Sequence, residues 1–216
     1  MKLIMEKVMQ NNKVQGWVKG LLPLCLFALL PLCATAQSAK EVLDKAAQAV
    51  SNKQGISAKF NISGPNFSPT NGTIYVKGKK FQATTSVATI WFDGKTQWTY
   101  MKDNNEVNVS NPSESELQAL NPYNFINIYK KGFNYTMTTK GNSYEVHLTA
   151  TDKKRSIQEM YITVSKSGYV PTQVKMKQKK GWTTINISNL KASKLSDSMF
   201  RFNTKDYPHA EVIDLR

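Results

Sequence analysis

The chain has 216 residues, with 29 lysines and arginines against 15 aspartates and glutamates, a formal net charge of +14 and two cysteines. Both cysteines, Cys25 and Cys33, lie in the N-terminal apolar stretch, so beyond it disulfides, thiol catalysis and thiolate metal sites are excluded. The basic charge is spread thinly, densest at Lys153-Lys154-Arg155 and Lys175 to Lys180, and no nucleic-acid-binding motif accompanies it. Nucleic acid is therefore not an expected partner; the bland reading is a solvated lysine face, the sharper one attraction to anionic membrane surfaces or acidic partners.

Residues 1–36 have the layout of a cleavable secretory signal peptide. Lys2, Lys7, Lys13 and Lys19 supply the basic region, Leu21 to Leu32 the apolar run, and Ala34-Thr35-Ala36 the cleavage site. A membrane anchor needs roughly 20 apolar residues, and this run is shorter and interrupted by Pro23 and Pro31. A lipoprotein signal fits poorly, because Leu24 and Leu32, not small residues, precede the two cysteines. The expected product is a soluble periplasmic chain of one domain, residues 37–216, with a core of its own.

That domain opens with a helix. Ser38-Ala39-Lys40-Glu41 is a capping box, and Val42, Leu43, Ala46, Ala49 and Val50 form an apolar stripe ending near Gly55. Almost everything after it alternates with a period of two. Ile56, Ala58, Phe60 and Ile62 share one face, with Ser57, Lys59 and Asn61 on the other. The pattern returns around Phe133, Tyr144, Met160, Val174 and Ile185. Turn residues separate these runs: Asn71-Gly72, Lys77-Gly78-Lys79, Asp93-Gly94, Asp103-Asn104-Asn105, Gly141-Asn142, Ser167-Gly168 and Lys180-Gly181. About eleven strands joined by short turns predict a mainly β fold, an antiparallel meander curled into a sandwich or barrel.

The alternation stops between Ser110 and Lys131. Ser113, with Glu116 three residues on, starts one short helix carrying Leu117 and Leu120; Asn121 and Pro122 start a second carrying Phe125, Ile128 and Tyr129. Such an insert is either a plug at one barrel end or a lid over a cavity. In the hairpin Ala88 to Met101 both faces are bulky: Ile90 and Phe92 point opposite to Trp91, and Trp98 and Tyr100 opposite to Met101. Both faces therefore need cover, expected from the first helix on one side and the lid pair on the other. A barrel this wide is not filled by its own side chains, and an aliphatic and aromatic lining suits acyl chains at about 0.8 kcal/mol per methylene. From periodicity alone, a collapsed core is an equal alternative.

Particular residues resemble the LolA family of periplasmic carriers. Phe92-Asp93-Gly94-Lys95-Thr96-Gln97-Trp98-Thr99-Tyr100 is similar to that family's Asp-Gly-Lys hairpin, Asn121-Pro122-Tyr123 to its Pro-led lid helix, and Ile157 to Val170 to a later hairpin. Phe200-x-Phe202, Tyr207-Pro208 and Val212-Ile213-Asp214 resemble its closing segment. The resemblance implies an open, incomplete antiparallel β-barrel with an N-terminal helix and a short helical lid, no enzymatic activity and no cofactor. It implies a monomer that shields lipoprotein acyl chains between an inner-membrane lipoprotein-releasing complex and an outer-membrane acceptor. Ile90, Phe92, Trp98, Tyr100, Leu117, Leu120, Phe125 and Ile128 are the residues expected to line or cover the acyl site. Where many family members carry an arginine and proline that hold the lid closed, this chain reads Val76-Lys77-Gly78-Lys79-Lys80, and lysine lacks the bidentate fork.

Enzyme chemistry has little to work with. His147 and His209 lack acidic residues at ligand spacing, no Gly-x-Ser-x-Gly elbow occurs, and Asp93 and Asp103 read as turn residues. The second functional reading is a lipid- or glycolipid-binding sensor of the same shape.

Overall fold

The structure is a computed structural model that describes residues 37–65, 67–113 and 128–216. The signal region, and Leu117, Leu120 and Phe125 of the expected lid, lie outside the described residues.

Helix α1 (Ala39–Ala49) begins where the capping box places it. Ser38 is extended; its Oγ accepts from the Glu41 amide at 3.2 Å, and the Glu41 carboxylate accepts from the Ser38 amide at 2.9 Å. Two of the amides left over at the helix start are thereby satisfied locally. Val42, Leu43 and Ala46 are buried along the helix, and Val50 is buried at its C-cap.

The strands run β1 (Ile56–Gly64), β2 (Phe67–Lys77), β3 (Lys80–Thr85), β4 (Ala88–Phe92), β5 (Gln97–Met101), β6 (Glu106–Ser110), β7 (Phe133–Lys140), β8 (Ser143–Ala150), β9 (Glu159–Ser165), β10 (Pro171–Gln178), β11 (Gly181–Ala192) and β12 (Glu211–Asp214). Two 3-10 turns, Asp197–Phe200 and Thr204–Asp206, precede β12. All the strands belong to one sheet of order β12-β6-β5-β4-β3-β2-β1-β11-β10-β9-β8-β7. β12 and β7 are its two edges, so the ladder does not close and the barrel is open. The meander is antiparallel throughout except that β12 pairs parallel with β6, an additional strand beyond the antiparallel set expected from the alternation.

The sheet is strongly curled. α1, about 16 Å long, touches β7 and β8, yet its last turn shares a cavity with Val76 of β2 and Lys80 of β3. In a flat sheet β8 and β3 would stand about 30 Å apart at the usual strand spacing. Only a sheet wrapped round the helix brings both to it. β6 and β7, consecutive strands in the chain, stand toward opposite edges of the sheet.

Cross-strand register identifies the inner face. Phe92 is opposite Phe81, Phe81 opposite Val76, and Val76 opposite Ile56; Ile90, Ala83, Ile74 and Ala58 form the next row. Beyond β1, Ile185, Val174, Ile162 and Val146 continue the same side round the sheet. These residues and the α1 stripe form one core.

Two expectations are corrected. Asn71-Gly72 is not a turn: both residues lie within β2, with Gly72 opposite Phe60. A Cβ at position 72 would come within 2.4 Å of Phe60 Cζ and 2.5 Å of the Thr84 carbonyl oxygen, so the glycine serves close approach and not reversal of the chain. The second correction concerns the bulky outer face of β4 and β5, whose cover comes from the C-terminal segment. Trp91 packs on Phe202 and Tyr207 at ring separations of 5.6 Å each, and Tyr100 on Tyr207 at 4.6 Å. Val107 and Val109, opposite Tyr100 and Trp98, are buried on this side as well.

Candidate functional site

The β4–β5 hairpin is fixed by its own turn. Asp93 Oδ1 accepts from the amides of Lys95 and Thr96 at 3.0 and 2.9 Å, and Gly94 takes φ +102, a conformation that favours glycine. Asp93 is thus held as a turn residue; its other oxygen lies 3.3 Å from Arg201 Nε. This hairpin sets the direction of four of the residues expected at the site, and it divides them. Phe92 is buried on the inner face, 5.5 Å from Phe81 between ring centres, and Ile90 packs half-buried against the same core. Ile128, just before β7, is buried in that core too. Trp98 and Tyr100 are opposite Trp91 and Thr89 and so project from the outer face. The period of two makes the division unavoidable once the pairing of the strands is known.

A cavity of about 860 Å³ opens at the end of the inner face. Its described lining comes from the last turn of α1 (Ala47, Val50), the residues after it (Ser51, Asn52, Lys53), the β2–β3 hairpin (Val76 to Lys80), the β4–β5 turn (Asp93, Gly94), Lys130 and Asp197. The floor is apolar and continuous with the interior, since Val50 and Val76 are core residues. Its volume is within the range of ligand-binding clefts.

The mouth is cationic. Asp197 is gripped by Lys77 at 3.0 Å and Lys80 at 3.1 Å, and these contacts hold its carboxyl below the usual carboxylate range. Lys77 also donates to the Leu195 carbonyl at 2.9 Å, which ties the hairpin to the segment after β11. None of these lining lysines carries a sequence signature of a site, and Val76-Lys77-Gly78-Lys79-Lys80 reads as an ordinary basic hairpin turn.

His147 stacks on Tyr161 at 4.3 Å on the outer sheet face, and among the described residues no three His, Cys, Asp or Glu are grouped to hold a metal ion.

An open sheet wrapped round one N-terminal helix, with an apolar inner wall and a mouth, agrees with the family comparison: the model for "Outer membrane lipoprotein carrier protein LolA" matches residues 29–180. The chain belongs to the LolA family. Among solved structures, an uncharacterized conserved protein from Thermus thermophilus is similar in fold, with TM-score 0.54 and 13% identity over 82% of this chain and 99% of that one. A LolA superfamily protein from Nitrosomonas europaea gives TM-score 0.45 at 13% identity, covering 77% of this chain and 99% of the other. The lipoprotein LppX from Mycobacterium tuberculosis gives 0.40 at 10%, covering 73% and 100%. No curated protein sequence matches the chain. The LolA fold is a binding and carrier fold, and lipid or lipoprotein binding is the activity that goes with it.

Proposed function

We propose that this LolA-family chain is a periplasmic carrier that shelters lipoprotein acyl chains and delivers them to the outer membrane, and that residues 1–36 are a signal peptide removed on export. The observation that carries the reading is the cavity of about 860 Å³ whose floor, Val50 and Val76, is the edge of the hydrophobic core. An acyl chain laid on that floor gains about 0.8 kcal/mol for each methylene taken out of water, so affinity needs no elaborate polar recognition. The open edges of the sheet let the wall yield without breaking strand pairs. Ile90 and Phe92 supply the deeper apolar wall, whereas Trp98 and Tyr100 lie on the outer face, where Tyr100 packs on Tyr207 of the C-terminal cover. Leu117, Leu120, Phe125 and Ile128 are assigned to the lid over the site, with an inner-membrane releasing complex as donor and an outer-membrane acceptor as recipient.

Depleting the protein in the cell that makes it tests the reading. Lipoproteins destined for the outer membrane then accumulate in the inner-membrane fraction. Unchanged lipoprotein localisation on depletion contradicts the carrier role and favours a sensor or binding module of the same fold.

A further inference from the structure

The cavity mouth carries more positive charge than a purely hydrocarbon cargo requires. Lys53, Lys77, Lys79, Lys80 and Lys130 line it, against Asp93 and Asp197. Both carboxylates are already engaged, Asp197 by Lys77 and Lys80 and Asp93 by Arg201. Lys53 and Lys79 are exposed and meet no carboxylate among the described residues. Lys79 stands beside Gly78, which takes φ +61 at the hairpin tip and has open space around it. Its ammonium group can therefore swing over the opening. An apolar floor beneath a ring of ammonium groups is complementary to an amphiphile that is itself divided into hydrocarbon and anion.

We infer that the lysine rim is a site for a headgroup of net negative charge, so that the cavity prefers anionic over zwitterionic phospholipids as well as accepting acylated protein. The inference rests on the acyl-binding reading above and adds to it a charge preference. Lysine suits the role: it is a compact point charge with three donors on a flexible stem and needs no fixed approach geometry to meet a phosphate. The acyl chains lie on Ala47, Val50 and Val76 while the phosphate sits between Lys53 and Lys79, outside the ion pairs of Asp197. Because the rim faces water, the headgroup contribution is screened by salt whereas the acyl contribution is not.

The test uses residues 37–216 and three probes below their aggregation limits: dihexanoyl phosphatidylglycerol, dihexanoyl phosphatidylcholine and inorganic phosphate, followed by calorimetry at low and high salt. The anionic lipid is expected to bind at least about tenfold tighter than the zwitterionic one at low salt, with the ratio shrinking as salt is added. The paired substitution Lys53→Gln and Lys79→Gln is expected to erase that ratio, bringing phosphatidylglycerol binding down to the level of phosphatidylcholine, whose choline already offsets its phosphodiester charge. Equal binding of the two lipids by the unsubstituted protein overturns the headgroup site while leaving the acyl site standing. Binding of neither lipid overturns the acyl reading itself. Inorganic phosphate binding as tightly as phosphatidylglycerol shows a free-phosphate site and overturns the lipid assignment.

Discussion

The Tyr129 hydroxyl donates a hydrogen bond of 2.6 Å to Oδ1 of Asp44, fastening the segment that leads into β7 onto the middle of α1. Tyr129 is fully buried, and a buried phenol needs such a partner. Lys40 occupies the other Asp44 oxygen at 2.7 Å, and Tyr135 donates to the Tyr129 carbonyl, so the contact is one part of a small network. It joins the residues just before β7 to the helix the sheet wraps around.

Tyr129→Phe removes the donor and keeps the ring, and is expected to lower stability by roughly 1–2 kcal/mol in urea unfolding. The hydrogen bond from Lys40, and then that from Tyr129, hold the Asp44 carboxyl below its ordinary range. A lowered folded pKa gives stability that is present above the unfolded value of about 3.9 and is lost as pH falls through the folded value. Acid unfolding followed by circular dichroism is expected to show a shallower loss below pH about 4 for Asp44→Asn than for the unsubstituted chain. An identical acid limb contradicts this assignment.

The C-terminal cover and the inner wall lie on opposite faces of the sheet. Phe200→Ala, at a fully buried position that is not part of the inner core, is expected to cost about 3–5 kcal/mol by thermal or urea unfolding. Trp98→Ala likewise weakens the outer face. In both variants acyl affinity, measured where the protein is still folded, should stay within about twofold of the original. A selective loss of affinity in Trp98→Ala would place that ring at the site after all.

At Gly72 the effect is steric. Gly72→Ala drives a methyl group against Phe60 Cζ and the Thr84 carbonyl, and a loss of roughly 1–3 kcal/mol is expected. Adding Phe60→Leu relieves the side-chain clash but not the backbone one, so recovery should be partial. Full recovery shows that only the ring matters.

Gln97 presents the opposite case. It is opposite Phe92 and buried; its Nε2 donates to Thr99 Oγ1 at 3.2 Å, while its Oε1 has no partner among the described residues. An acceptor held out of water without a donor costs about 1–3 kcal/mol, so Gln97→Leu is expected to be neutral or stabilising by about 1 kcal/mol. A drop of that size instead shows that the amide is satisfied in solution.

The local part of this structure was legible in the sequence because its causes are local. Ser38 and Glu41 are three residues apart and announce α1, and the alternation of Ile56, Ala58, Phe60 and Ile62 needs only the pleat of a strand. What lay hidden depends on partners distant in the chain. Asn71-Gly72 has the composition of a turn, and only the ring of Phe60 across the ladder reveals another use. Ile90 and Trp98 look equally suited to an apolar wall, and the β4–β5 register, together with a cover supplied by Phe202 and Tyr207, decides which face each one serves. The cavity mouth is drawn from α1, two hairpin turns and Asp197, and the lysines there carry no short-range signature of a site.

Binding of an N-palmitoylated peptide to residues 37–216, purified without detergent and followed by native mass spectrometry, tests the central claim most directly when run beside Ala47→Trp, which puts an indole into the cavity from α1. A one-to-one complex with the unsubstituted protein is expected, competed by free acyl chains and lost in Ala47→Trp with the fold intact. Failure of the folded, unsubstituted protein to take up the acylated peptide, or equal uptake by both proteins, would contradict that claim.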